Sequence, residues 1–95
     1  MGEYKIEFSS RALADIDKFP PYIALRIVEK IQILGKDTRP RGDTIKKIVG
    51  AKYPLLRLRV GDYRAIYLLE KEVVVILRII HRKELEQALR DLLER

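Results

Sequence analysis

Residues Leu55–Val60 and Tyr63–Tyr67 flank a two-residue break at Gly61-Asp62, and no other stretch constrains the fold as strongly. Two residues containing Gly between runs rich in apolar and β-branched or aromatic residues read as a tight β-hairpin. A two-residue loop pairs Val60 with Tyr63, Arg59 with Arg64, Leu58 with Ala65 and Arg57 with Ile66. Directly opposed residues share a face of the sheet. One face then carries Leu56, Leu58, Val60, Tyr63, Ala65 and Tyr67, a core face on which both tyrosines are packing residues. The other carries Arg57, Arg59 and Arg64. Arg59 opposite Arg64 is a like-charge pair, which costs stability unless an anion sits between them. Local conflicts of this kind are expected where function overrides stability.

The next run, Val73–Ile80, is almost wholly apolar, as a central strand covered on both faces would be. A three-residue turn at Glu70-Lys71-Glu72 pairs Leu69 with Val73 and brings Val74, Ile76, Arg78 and Ile80 onto the arginine face. A two-residue turn would bury Arg78 in the core, where an unpaired guanidinium is costly. The three-residue turn is therefore expected, with Arg78 and then Arg82 joining the cluster. Upstream, Tyr4–Phe8 alternates like a short strand. Ser9 or Ser10 can cap a first helix bearing Leu13, Ile16 and Phe19. Pro20 ends that helix, and Pro21 suits the first turn of a second. Ile23, Ile27, Ile31 and Leu34 recur there at helical spacing, with Gly35 at the C-cap position. Lys36–Thr44 is a polar loop broken by Pro40 and Gly42. Lys83–Glu94 puts Leu85, Ala88, Leu89, Leu92 and Leu93 on one helical face.

A length of 95 residues suits one domain, spanning 1–95, with one modest core. Cysteine is absent and His81 is the only histidine, so no disulfide, thiolate metal site or histidine cluster is expected, and no cofactor motif is present. No apolar run approaches the roughly 18 residues needed to span a bilayer. The start, MGEYKIEFSS, contains acidic residues and no long apolar segment, unlike a secretory signal. A cytoplasmic protein without membrane association is the expectation. Net charge is +6, and it is concentrated: Arg39–Arg82 holds 11 basic and four acidic residues. That segment is +7 and the remainder −1. Such a distribution suggests a polyanionic partner. The competing reading is a solvated surface on which the arginines pair with Asp62, Glu70, Glu84 or Glu86. The chain also lacks Asn and Trp, has one Met and is 36% charged, a composition that fits a thermophilic source.

Lys46-Lys47-Ile48-Val49-Gly50, then Leu56-Arg57-Leu58-Arg59-Val60-Gly61-Asp62-Tyr63-Arg64-Ala65-Ile66-Tyr67, then His81-Arg82-Lys83-Glu84 together resemble the RelE/ParE toxin family. The likeness runs over nearly the whole chain, and the RLRVGDYRAIY stretch is its specific part. It implies an α+β fold: an antiparallel sheet of about four strands, an N-terminal helical hairpin on one face and a C-terminal helix. It further implies the toxin of a type II toxin–antitoxin pair, held in a hetero-oligomer by a cognate antitoxin. RelE-like members cut mRNA in the ribosomal A site, so ribosome and mRNA are the implied partners; ParE-like members poison DNA gyrase. An acidic amphipathic helix would suit the basic face and an apolar groove beside the C-terminal helix.

Metal-free RNA cleavage uses the ribose 2′-OH as nucleophile. It needs a base for that hydroxyl, an acid for the leaving oxygen, and cations for the charge developing at phosphorus. Arg57 and Arg64 are candidates for that charge, with bidentate guanidinium–phosphate geometry. His81 titrates near neutrality without special tuning, and with Arg82 it follows the last strand, completing the candidate catalytic set. Arg59, Lys46, Lys47 and Arg78 are candidate phosphate contacts. Two positions depart from RNA-cleaving relatives. Glu86 stands where many have a tyrosine, and its negative charge would repel phosphate unless it serves as the base or pairs with Arg82. Arg57 stands where some have a lysine. A gyrase inhibitor without RNA chemistry, or a non-catalytic nucleic-acid-binding module, are the alternatives.

Overall fold

Gly61 takes a φ of +58°, and the hairpin it closes has the expected register, with Val60 opposite Tyr63, Arg59 opposite Arg64, Leu58 opposite Ala65 and Arg57 opposite Ile66. The computed structural model describes residues 3–51 and 53–94, so Lys52, one of the basic residues counted above, lies outside the description. In chain order the elements are β1 (Lys5–Phe8), α1 (Ser10–Asp17), α2 (Pro21–Ile31), β2 (Ile45–Lys47), β3 (Leu55–Val60), β4 (Tyr63–Glu70), β5 (Val73–His81) and α3 (Leu85–Leu93). Short 3-10 turns follow α2 at Gln32–Gly35 and precede α3 at Arg82–Glu84. The sheet has five strands in the order β1-β5-β4-β3-β2.

The α+β class stands, with two corrections to the sheet. β1 runs parallel to β5, pairing Lys5 with Val73 and Phe8 with Ile76, so the sheet is mixed. β2 is a fifth strand, antiparallel to β3, with Lys46 opposite Arg57. Three residues at the end of a polar loop are too short to display a period of two. Among the described residues no helix is long and apolar enough to cross a membrane.

The β4–β5 connection also departs from expectation. Glu70 pairs directly with Val73, so the turn has two residues, Lys71-Glu72, with Lys71 at a φ of +54°. That register alone would drive Arg78 into the core. A bulge prevents it: Tyr67 pairs with Ile76 but Ile66 pairs with Arg78, which leaves Leu77 as the extra residue. An extra residue exchanges the faces of everything beyond it. Val74 and Ile76 are therefore buried on the hairpin side, contrary to the sequence reading, whereas Arg78 and Ile80 lie on the arginine side.

Both sides of the sheet are covered. The α1–α2 hairpin packs Ala12, Ile27, Ile31 and Leu34 against Leu56, Leu58, Val60, Tyr67, Val74, Ile76 and Ile79. On the opposite side α3 lays Ala88, Leu85, Leu89 and Leu92 over Leu55, Ile66 and Ile80. Each large aliphatic side chain so buried is worth roughly 1.5–3 kcal/mol, which makes the sheet a rigid support for what projects from it. β1 stops at Phe8, and side chains of α1 continue its pairing role. Ser9 caps α1 by accepting from the Ala12 N–H at 3.0 Å, and its hydroxyl donates to the Leu77 carbonyl at 2.9 Å. One turn further on, Asp15 accepts the Ile79 N–H at 2.8 Å. Without these partners the edge of β5 would leave buried backbone groups unsatisfied. On the β4 side, the Tyr67 hydroxyl donates to the Thr38 carbonyl at 3.0 Å and pins the Lys36–Thr44 loop to the core.

Candidate nucleic-acid interface

The end of the sheet not reached by α3 exposes a group of guanidiniums. Arg57, Arg59 and Arg64 share this face through the β3–β4 register, and Arg82 stands at the exit of β5. Burial is the largest influence on Arg64 and lowers its hold on its proton; the positive charges of Arg57, Arg59 and Arg82 act in the same direction. Asp62 opposes them. Arg64 is also oriented: its Nη1 donates to the Gly61 and Tyr63 carbonyls, both at 2.9 Å. Those bonds leave the rest of its fork of donors unused.

Counter-charges are few. Among the described residues, Arg57, Arg59 and Arg64 have no ion-pair partner; Arg57 makes only a 3.4 Å contact with the Asp43 carbonyl. Arg82 lies 3.7 Å from the Asp62 carboxylate, and its N–H donates to the Asp62 carbonyl at 2.7 Å. Of the four acids that could have neutralised this face, Asp62 is the one that does so. Glu86 is 89% exposed and reaches Arg90 at 3.7 Å, rather than Arg82. Glu84 Oε1 accepts the His81 N–H at 3.2 Å.

The lysines divide. Lys46 lies on the arginine face, opposite Arg57, with its Nζ 2.9 Å from Asp43 Oδ1. That hydrogen bond, followed by the charge of Lys46, holds the Asp43 carboxyl below the usual range. Lys47 pairs with Leu56 and so projects from the other side. Asp43 is not among the residues expected from the sequence, although its three-residue spacing to Lys46 is a readable signal.

Two sequence candidates are not part of the cluster. Arg78 has the right face, but its guanidinium is only 14% exposed and is held by Asp15, with Nε–Oδ2 at 2.8 Å and Nη2–Oδ1 at 3.1 Å. That hydrogen bond strengthens its hold on its proton. This partner is not legible in the sequence, because Asp15 lies 63 residues away. His81 pairs with Tyr63 and stacks edge-on against its ring, with centroids 5.5 Å apart. Tyr63 in turn meets Phe19 of the hairpin side at 5.0 Å. The imidazole thus lies on the side of the sheet opposite Arg57, Arg59 and Arg64. Its Nδ1 accepts the Lys83 N–H at 3.1 Å, capping the turn before α3. That bond occupies the Nδ1 lone pair.

The face can therefore grip phosphate at several points and stabilise negative charge developing on it. Among the described residues no imidazole and no unpaired carboxylate points into it. Among the described residues no group of His, Asp or Glu side chains is arranged to hold a metal ion.

Comparison with known proteins agrees with this architecture. Residues 6–86 match the family described as ParE toxin of type II toxin–antitoxin system, parDE. No curated protein matches the chain. Among solved structures, the toxin–antitoxin complex RelBE2 of Mycobacterium tuberculosis aligns with a TM-score of 0.72 at 29% identity, over 84% of this chain and 99% of that one. The archaeal RelE–RelB complex of Pyrococcus horikoshii OT3 aligns at 0.71 and 27%, over 84% and 96%. The RelB–RelE antitoxin–toxin complex of Methanococcus jannaschii aligns at 0.65 and 26%, over 84% and 94%. With the match extending across most of its length, the chain belongs to the RelE/ParE family of toxins from type II toxin–antitoxin systems.

Proposed function

We propose that this toxin arrests translation by binding mRNA on the Arg57–Arg59–Arg64–Arg82 face and cutting it on the ribosome, as a metal-independent endoribonuclease of the cytoplasm. The observation that carries the reading is the opposition of Arg59 and Arg64, two arginines paired across β3 and β4, neither of which has an ion-pair partner among the described residues. A phosphodiester would relieve that repulsion, and would be gripped most tightly when it carries the extra charge of the transition state. Arg57 and Arg64 fill that role, with Arg82 at the edge and Arg59 and Lys46 holding flanking phosphates. Guanidiniums do not serve as bases at neutral pH, so deprotonation of the 2′-OH falls to a group of the RNA, the ribosome or solvent. That division of labour is consistent with activity confined to the ribosome. A cognate antitoxin with an acidic helical segment is the proposed partner that silences it, since the solved relatives above are complexes with antitoxins.

Mapping transcript ends after induction tests the proposal. Cuts within translated reading frames are expected from the native chain, and their loss from the Arg82→Ala variant. A second reading, inhibition of DNA gyrase, is favoured by the description of the matching family as parDE toxins and by the absence of a base on the face. Gyrase-dependent DNA breaks with intact transcripts would select it. Tight binding to free RNA without growth arrest would instead indicate a non-catalytic binding module.

A further inference from the structure

A second basic surface lies on the hairpin side of the Gly61-Asp62 turn. Between α2 and the β2–β3 edge is a cleft of about 460 Å³ lined by Arg26, Lys30, Arg41 and Arg59 over an apolar floor that includes Leu58 and Val60. Asp43, its one carboxylate, is already held by Lys46 at 2.9 Å. Arg41 leans towards Asp37 at 3.5 Å, whereas Arg26 and Lys30 have no ion-pair partner among the described residues. A Cβ placed on Gly61 would stand 3.6 Å from Arg26 Nη2, so this guanidinium lies against the turn. Arg64 holds the Gly61 carbonyl from its own guanidinium at 2.9 Å. One turn thus has a guanidinium from α2 against it and another from β4 bonded to it, and the two basic surfaces are continuous around it.

We propose that this cleft is a second phosphate subsite, which receives nucleotides flanking those held on the arginine face, so that one RNA strand passes around the Gly61-Asp62 turn. The inference rests on the RNA-binding reading above. Several cations along a path, rather than one point charge, are what a phosphodiester backbone requires. The volume is that of a small-ligand pocket. The exposed Ile33 of its lining can pack against a base while the basic rim holds the phosphates on either side.

The probes are a fluorescent tetranucleotide and a dodecanucleotide of 2′-O-methyl RNA, which cannot be cleaved, titrated into the native chain and into the Arg26→Ala/Lys30→Ala variant at several salt concentrations. Expected is a loss of about tenfold in dodecanucleotide affinity, with a salt slope shallower by about 1.4, two phosphate contacts at roughly 0.7 each. Tetranucleotide affinity and the melting temperature stay as in the native chain. Unchanged dodecanucleotide binding in the variant overturns the subsite while leaving the arginine face intact. Equal loss for both lengths overturns it as a separate extension. If the native chain binds neither probe, the RNA reading itself fails. If the variant loses affinity only for an acidic amphipathic peptide, the cleft is a protein-docking surface and the proposal is overturned.

Discussion

Asp15 and Arg78 form a two-pronged ion pair, 2.8 and 3.1 Å, while one oxygen of the same carboxylate also accepts the Ile79 N–H at 2.8 Å. A single side chain of α1 thereby satisfies both a guanidinium and the backbone of β5 where β1 has ended. Breaking a pair this well buried is expected to cost about 3–5 kcal/mol, since the remaining charge is stranded. Asp15→Ala should lower the urea midpoint accordingly. Asp15→Asn, which keeps an acceptor for Ile79, should lose less, and so should the double variant Asp15→Leu/Arg78→Met, which strands no charge but leaves the Ile79 N–H unpaired. Equal losses for all three would mean that the ion pair is not what fastens α1 to the strand.

Arg59 and Arg64 face one another across β3 and β4, and neither has an ion-pair partner among the described residues. Arg59→Thr should raise stability by up to about 1 kcal/mol, because a like-charge cross-strand pair is removed and a good strand former introduced. The same change should weaken binding of single-stranded RNA and reduce growth arrest. Thermal melting and a toxicity assay read the two effects separately. A variant both less stable and fully toxic would contradict the assigned role of this pair.

Burial, with a smaller contribution from the negative charge of Asp37, lifts the Tyr67 hydroxyl well above the ordinary tyrosine value of 10.0. The folded chain holds this proton more tightly than the unfolded chain does. Its contribution is therefore complete below pH 10.0 and is lost progressively as the pH rises beyond it. Tyr67→Phe removes that alkaline component. It also leaves the buried Thr38 carbonyl unpaired, at a cost of about 1–3 kcal/mol at neutral pH. Denaturation midpoints of the two proteins should converge as the pH climbs; parallel curves would refute the assignment.

His81 caps the turn before α3 through its Nδ1, and we propose that it acts as a cap rather than as a base. Asn is a good capping residue, so His81→Asn should retain the turn before α3, its melting temperature and its toxicity. Arg82→Ala, one residue on, should abolish toxicity without unfolding the protein. Complete loss of toxicity in a folded His81→Asn protein would reinstate the ring as a proton carrier.

The absence of Asn and Trp and the abundance of Lys, Glu and Arg suggest a chain adapted to heat. Calorimetry should give a melting temperature above about 65 °C, the upper end of the range for mesophilic domains.

How much of this the sequence displayed follows from the range of the interactions concerned. The Gly61-Asp62 turn, the Arg59–Arg64 opposition and the helical faces of α2 and α3 are local patterns, and each is found where its period or turn residues put it. Tyr63 and Tyr67 are packing residues as expected, the latter fully buried. The partner of Arg78 was invisible because Asp15 sits on another element. The sides taken by Val74 and Ile76 depend on an irregularity that no composition rule marks, since Leu77 is one aliphatic residue in a run of them; the expected three-residue turn puts Arg78 and His81 on the sides they occupy, by a different parity. The parallel pairing of β1 with β5 joins strands separated by the α1–α2 hairpin and three other strands, a relationship that exists only in the assembled sheet.

The extra residue in β5 has a consequence for what the chain can tolerate. Turn length and bulge each contribute one unit of parity to the side on which Arg78 and His81 emerge, and only their combined parity is fixed. A single-residue insertion in the Lys71-Glu72 turn, or deletion of Leu77, would by itself exchange the two sides of the strand end and push Arg78 into the core. Both changes together would restore it. Insertions and deletions along this strand are therefore tolerated in matched pairs, although each position taken alone looks like an ordinary aliphatic or turn residue.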